Sequence, residues 1–354
     1  MDYSYQNKAA EIVLNNALNK NYIASVLGAC CSSGKTTISH IIINNYLKLF
    51  PQAKIVVLTE GQNMLKNQYL EELKNSHISI NFNYGTFFDN TQVQVGIPQN
   101  IQNLKINHID LLIVDECQNF YKANTDQEII KYFNPTHQII MTGSPTKFNL
   151  HNKNNVKKFA IHYISAEELE QNKIFSGVDL DVIKITFKNN VFQTMNEVMK
   201  DLNLKKINVN KLMVDCPTID YAKKVYQYFK TNFNKSLYYS DSNNDKNNEN
   251  INNFKKAKEG ILIVINKGIL GFNDPAITSI VDLKSSNNID ASFQLMARIL
   301  RVHPNNIRKS YFRISEKKDY NKQVLILHKM VSLMKKEIFK KYDGKNLKIT
   351  IERK

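Results

Sequence analysis

The stretch that decides the fold is Ile23-Ala-Ser-Val-Leu27 followed by Gly28-Ala-Cys-Cys-Ser-Ser-Gly-Lys-Thr-Thr37. An apolar run ends in small residues, and a helical pattern follows at Ile38, Ile41, Ile42 and Tyr46. Strand, small-residue loop and helix in that order form a phosphate-binding loop of the Walker A type, here Ala29-x4-Gly34-Lys35-Thr36. Small side chains let backbone N–H groups close around phosphate oxygens, and the helix N-terminus adds the positive end of its dipole. The loop residues are Ala29, Cys30, Cys31, Ser32, Ser33, Gly34, Lys35, Thr36 and Thr37. Lys35 would reach the β- and γ-phosphates, and Thr36 would ligate Mg2+. Cys30 and Cys31 read either as small loop residues or as redox-sensitive thiols.

A second motif stands 80 residues beyond Lys35. The apolar strand Ile109–Val114 ends in Asp115-Glu116-Cys-Gln118. Ligands of parallel α/β sheets bind at the C-terminal ends of strands. Asp115 at that edge would hold Mg2+, and Glu116 would orient and deprotonate an attacking water.

Working outward, apolar runs alternate with helical patterns. Lys54–Leu58 and Gln138–Thr142 complete a first set of buried strands. Val182–Phe187, Lys211–Asp215, Ile261–Ile265, Ser279–Leu283 and Ser310–Ile314 form a second. Such alternation predicts an α/β protein with two mainly parallel sheets, each flanked by helices. The expected division is a first domain over 1–165, a linker over 166–182, a second domain over 183–320, and a C-terminal helix and tail over 321–354. Val324, Leu327, Val331, Met334 and Ile338 set the apolar stripe of that last helix. Ser240–Asn253 is almost wholly polar and reads as a surface loop.

The net charge of +16 comes from 48 Lys and Arg against 32 Asp and Glu. A nucleic acid partner and a Lys-, Asn- and Ile-rich composition of an AT-rich, viral or phage-like genome would each produce it. No apolar run approaches the ~18 residues of a membrane span, and no secretory signal is read at the N-terminus. Four cysteines without a Cys-x-x-Cys pair exclude zinc and disulfide frameworks and suit a reduced, intracellular chain.

Taken together these segments resemble the superfamily 2 helicases and translocases, over nearly the whole chain. Asp115-Glu116-Cys-Gln118 is similar to their motif II. Met141-Thr142-Gly-Ser144-Pro145 is similar to motif III, which would make Gln118, Thr142 and Ser144 coupling residues. Tyr5-Gln6 resembles the upstream pair whose amide reads adenine. Gln294-Leu-Met-Ala-Arg298-Ile-Leu-Arg301 resembles motif VI, with Ala297 in place of the usual Gly. Arg298 and Arg301 are expected one turn apart on a helix, reaching the γ-phosphate as arginine fingers, with Gln294 beside them.

Gly271-Phe-Asn273-Asp-Pro275 resembles motif V, although Leu270 and Asn273 replace its usual Glu and Asp. Gly271 and Asn273 are the nucleotide contacts it implies. Val57–Gln68 resembles motif Ia without its usual Pro-Thr-Arg, and offers Thr59, Gly61 and Gln62 to a nucleic acid backbone. Val93–Gln99 is similar to motif Ib, and Lys211–Thr218 to motif IV. The resemblance implies two tandem RecA-like domains, ATP and Mg2+ as ligands, and a DNA helicase or translocase of the restriction-subunit and repair branch. An RNA helicase, a nucleotide-gated clamp and another P-loop NTPase remain as alternatives.

Overall fold

Strands buried on both faces need unbroken apolar runs. Ile55–Leu58, Leu111–Val114 and Gly260–Val264 supply them, every residue buried. The computed structural model describes residues 4–22, 24–29, 33–59, 63–86, 91–99, 106, 108–116, 129, 132–143, 159–241, 243–245, 248–265, 274–303, 305 and 308–334. Nine of the sequence-read site residues, Cys30, Cys31, Ser32, Gly61, Gln62, Gln118, Ser144, Gly271 and Asn273, lie outside them.

The chain divides into two units, Met1–Asn172 and Lys173–Lys354. The division falls inside the expected linker 166–182. That stretch is largely regular structure: α4 (Ala166–Gln171) belongs to the first unit, and strand β8 (Val178–Ile185) to the second.

The first unit holds α1 (Ser4–Leu18), β1 (Ala24–Ala29), α2 (Lys35–Leu49), β2 (Ile55–Leu58) and α3 (Asn63–Lys74). It continues with β3 (Tyr84–Gly85), β4 (Val93–Gly96), β5 (Leu111–Val114), β6 (His137–Thr142) and β7 (Phe159–Ile164). Its seven strands lie in the order β3-β4-β2-β5-β6-β1-β7, all paired parallel. Ala24 and Val26 share a core with Val56, Leu58, Leu112, Val114 and Ile140, the alternate positions of four neighbouring strands. The intervening positions Leu27, Ile55, Val57, Ile113 and Ile139 are also buried. Strands β5 and β1 flank β6, so Asp115 and the phosphate loop leave the sheet on one edge, two strands apart.

The second unit orders its strands β10-β11-β9-β12-β13-β8, again all parallel. They are β9 (Lys211–Asp215), β10 (Leu237–Ser240), β11 (Gly260–Val264), β12 (Ser279–Asp282) and β13 (Lys309–Glu316) beside β8. The helices are α5 (Val191–Leu204), α6 (Ile219–Asn232), α7 (Glu249–Lys256), α8 (Ile289–Met296) and α9 (Tyr320–Met334). Asn190, Thr218 and Asn288 cap α5, α6 and α8 by accepting a backbone N–H three residues on.

Two expectations need correction. The polar stretch 240–253 is not all loop: α7 begins at Glu249 and buries Ile251 and Phe254. The C-terminal helix is present, but it buries Gln323, Ile326, Leu327 and Met330 rather than a stripe on Val324 and Val331. Its partner explains the rotation. Arg313, fully buried within β13, donates from Nε to Gln323 Oε1 at 2.9 Å and faces Met330 Sδ at 3.9 Å. No described helix is long and apolar enough to cross a membrane.

Candidate nucleotide site

Gly34 is where β1's loop turns into α2. Its φ of 83° is left-handed, a conformation open to glycine at little cost. A Cβ there would also collide with the Gln6 side-chain amide. Unlike α5, α6 and α8, α2 starts with no side-chain cap and no acidic residue in its first turn. A helix start without a side-chain cap suits an anion at its first turn. Lys35, the first helical residue, is only 8% exposed. Its Nζ donates to the Ala29 carbonyl at 3.2 Å and lies 3.4 Å from Glu116 Oε1. Lys35 and Glu116, far apart in sequence, therefore meet across the loop.

Asp115 and Glu116 follow β5 directly. The Glu116 N–H donates to Asp115 Oδ1 at 2.9 Å. Glu116 itself holds a left-handed φ of 50°, a strained backbone for a side chain. Burial, with the Glu116 carboxylate beside it, pushes the Asp115 carboxyl up to about 7 against the pull of Lys35. Glu72 of α3 adds further negative charge. Among the described residues, the carboxyl groups of Asp115, Glu116 and Glu72 are set against the single ammonium group of Lys35, a shortage of positive charge that a divalent cation would supply. Ser33 is fully buried, and its Oγ has no partner among the described residues. The donors and the charge deficit fit a nucleotide phosphate chain with Mg2+.

The weak two-residue match Tyr5-Gln6 lands on this loop. Both side chains are buried on α1. Tyr5 Oη donates to the Ser33 carbonyl at 2.7 Å, and Gln6 Nε2 donates to Tyr5 Oη at 3.3 Å. Thr36 and Thr37 are partly exposed on the first turn of α2. Thr142 ends β6 in register with Gly28 and is buried beside the loop. Thr59, expected to meet a nucleic acid backbone, follows β2 in a buried position. It is 2% exposed, and its amide and hydroxyl both donate to the Gly96 carbonyl, at 2.9 and 3.3 Å. That pair of bonds ties the end of β2 to the end of β4.

In the second unit, α8 carries Gln294, partly exposed, but ends at Met296. Arg298 stands in a 3-10 turn, Ala297–Ile299, and Arg301 in an isolated antiparallel bridge to Phe175. The arginines therefore stand just beyond α8 rather than on it, Arg298 inside the 3-10 turn and Arg301 directly after Leu300, whose helical backbone closes that turn with a bond to the Ala297 carbonyl. The carbonyl of Arg301 accepts from Lys309 Nζ, which also caps the Pro275 carbonyl at 2.7 Å. Burial lowers the Lys309 ammonium to about 8, and Asp274 opposes the shift. Lys309 and Lys211 begin β13 and β9, so α8 has carried the chain back to the N-terminal edge of its sheet.

The motif V stretch ends in a feature that sequence reasoning missed. Asp274 Oδ2 pairs with Lys211 Nζ at 2.8 Å, both nearly fully buried. A second missed network joins Asp282, Tyr311 and Arg313. Tyr311 Oη donates to Asp282 Oδ2 at 2.8 Å, and Arg313 Nη1 lies 3.6 Å from the same oxygen. An Arg or Lys inside an apolar strand run was the available signal for both.

Parallel α/β units of this order, the first opening on a phosphate loop and an acidic strand end, define a RecA-like ATPase. A family described as type III restriction enzyme, res subunit, matches residues 2–147, and the helicase conserved C-terminal domain matches residues 193–303. The chain belongs to superfamily 2 of the helicases, ATP-hydrolysing enzymes built on two RecA-like domains. Among solved structures it is similar to the ATP-dependent type ISP restriction-modification enzyme LlaBIII bound to DNA, with TM-score 0.71 and 13% identity over 94% of this chain and 30% of that one. S. cerevisiae Dbp5 bound to RNA and ADP BeF3 gives TM-score 0.64 and 14% identity over 92% and 87%. Mss116p bound to single-stranded RNA and AMP-PNP gives 0.67 and 15% over 91% and 71%. No curated protein matches the chain.

Proposed function

We propose that the chain is a DNA-stimulated ATPase that translocates on, or unwinds, nucleic acid. The observation that carries the reading is the convergence of Lys35, Glu116 and Asp115 at the mouth of an uncapped α2. Lys35 would leave the Ala29 carbonyl and Glu116 for the β- and γ-phosphates. Thr36 and Asp115 would hold Mg2+, and Gln6 would meet the base. Mg2+, when bound, supplies positive charge to the phosphate oxygens.

Glu116 would orient water and take its proton, released from Lys35 as that ammonium turns to phosphate. Arg298 and Arg301 would neutralise charge on the departing phosphoryl group, with Gln294 beside them. Thr142 and Ser144 would pass the state of the site to the strand-binding surface, which includes Gly61 and Gln62. Gly271 and Asn273 stay as motif V contacts, Asn273 offering a hydrogen bond without charge. Backbone contacts made by Lys-rich surfaces are largely sequence-independent and weaken steeply with salt.

The match to a restriction subunit and the likeness to DNA-bound LlaBIII favour DNA. The likeness to RNA-bound Dbp5 and Mss116p supports the second reading, an RNA helicase. An ATPase assay with single-stranded DNA, duplex DNA and RNA at low and moderate salt separates the two. DNA stimulation lost at higher salt is expected, and stimulation by RNA alone would reverse the assignment.

A further inference from the structure

One buried polar chain in the first unit lies outside the proposed chemistry but touches it. Ser39, one turn into α2, is fully buried, and its Oγ bonds the Thr36 carbonyl at 2.7 Å. A serine hydroxyl has a single proton. Spent on Thr36, it leaves Ser39 Oγ only lone pairs for its second neighbour, Tyr69 Oη at 2.6 Å. Tyr69 must therefore donate, and the bonds run one way: Tyr69 Oη–H to Ser39 Oγ, Ser39 Oγ–H to Thr36 O.

Tyr69 is 3% exposed on α3 and is held edge-on against His40, ring centres 5.2 Å apart. No water competes in such a place, and each bond in a chain polarises the next. A side-chain bond to a carbonyl three residues back also draws that carbonyl toward the donor, setting the shape of the first turn. The first turn holds Thr36. Tyr69 lies within electrostatic reach of Asp115 and Glu72 as well. It is therefore bonded through Ser39 to the turn that holds Thr36 and feels the charge of Asp115, from a helix that has no place in the phosphate loop.

We propose that Tyr69 is a positioning residue for Mg2+: through Ser39 it fixes Thr36 opposite Asp115. The proposal rests on the reading of Thr36 and Asp115 as cation ligands. It predicts a defect confined to the metal-loaded nucleotide. Binding of N-methylanthraniloyl-ADP is measured by fluorescence in Mg2+ and in EDTA, for wild type, Tyr69→Phe, Ser39→Ala and the double variant. Losing a buried hydrogen bond of this kind weakens an equilibrium roughly fivefold.

Tyr69→Phe should therefore cut the Mg2+-dependent gain in affinity about fivefold while affinity in EDTA is unchanged. Ser39→Ala should do at least as much, and Tyr69→Phe should add nothing in the Ser39→Ala background. Equal affinity of Tyr69→Phe and wild type in Mg2+, an equal loss in EDTA, or additive effects would overturn the proposal. A wild type that gains nothing from Mg2+ would overturn the cation assignment beneath it, a distinct outcome. Thermal melting of each variant separates misfolding from the metal effect, and Ser39→Ala alone still tests the chain if Tyr69→Phe does not fold.

Discussion

Replacing Lys211 by Met should destabilise the second unit by several kcal/mol, and the geometry says why. Lys211 begins β9 with its side chain 2% exposed. Its ammonium lies 2.8 Å from Asp274 Oδ2, donates to the Lys255 carbonyl at 3.1 Å, and sits 4.9 Å from the centre of the Phe254 ring. Methionine keeps most of the volume and the contact with Phe254. It removes the ammonium paired directly with Asp274, whose side chain is 5% exposed, and leaves only the more distant field of Lys309.

Breaking one partner of a buried pair costs about 3–5 kcal/mol, because the other charge stays behind undissolved. At roughly 2–4 °C per kcal/mol for a domain of this size, the melting temperature should fall by about 10 °C. Adding Asp274→Asn removes the stranded charge while its Oδ1 still accepts from the Ala276 N–H, a bond of 2.9 Å in the wild type. The double variant should recover most of the loss. Differential scanning calorimetry of the two singles and the double gives the coupling directly. A fall of under ~3 °C for Lys211→Met, or a double variant no better than the single, would refute the view that Asp274 serves the core and not the nucleotide.

Two further predictions come from the first unit. Gly34→Ala forces a Cβ into a left-handed residue, about 1–2 kcal/mol of strain, and drives it onto Gln6. Nucleotide affinity should drop at least tenfold in a fluorescence titration with a smaller change in melting temperature. His40 is 1% exposed, and burial, with His77 nearby, lowers its imidazole to about 4. The depressed value means that the folded state resists protonation, so stability is complete above 6.5 and is lost as pH falls toward 4. At pH 5 the loss is about 2 kcal/mol, and a His40→Phe variant should melt with a visibly shallower pH dependence over that window.

The sheet centres were legible because parallel strands are apolar on both faces. Lys211–Asp215 was readable to the residue. The edges were not. Leu-Tyr-Tyr-Ser (β10) is mostly half-buried, and Phe-Ala-Ile-His-Tyr-Ile (β7) mixes exposed and buried positions, in runs that carry no clear period. Val93–Gln99 was read as a contact segment, and its first four residues prove to be the buried strand β4, with Gln99 exposed beyond it. α7 was hidden because only Ile251 and Phe254 among its eight residues are buried apolar side chains.

The phosphate loop and acidic strand end were plain, since their chemistry is local. The bonds of Thr59 could not be read, because its partner, Gly96, is 37 residues away. The buried charges Lys211, Lys309 and Arg313 were opaque for the same reason, each choosing partners from distant strands and helices. Arg298 and Arg301 were expected on one helix from the motif VI resemblance and their spacing, whereas α8 gives way to a 3-10 turn before Arg298. Nothing in the sequence marks the end of α8 at Met296, where no glycine or proline intervenes.

The most direct test of the account is ATP turnover by Glu116→Gln beside wild type, at saturating ATP with single-stranded DNA present. A positioned general base contributes roughly 10²–10⁴ in rate. The variant should bind ATP with near-normal affinity and hydrolyse it at least a hundredfold more slowly. Equal turnover by the two proteins would contradict the assignment of Glu116, and with it the engine built around Lys35 and Asp115.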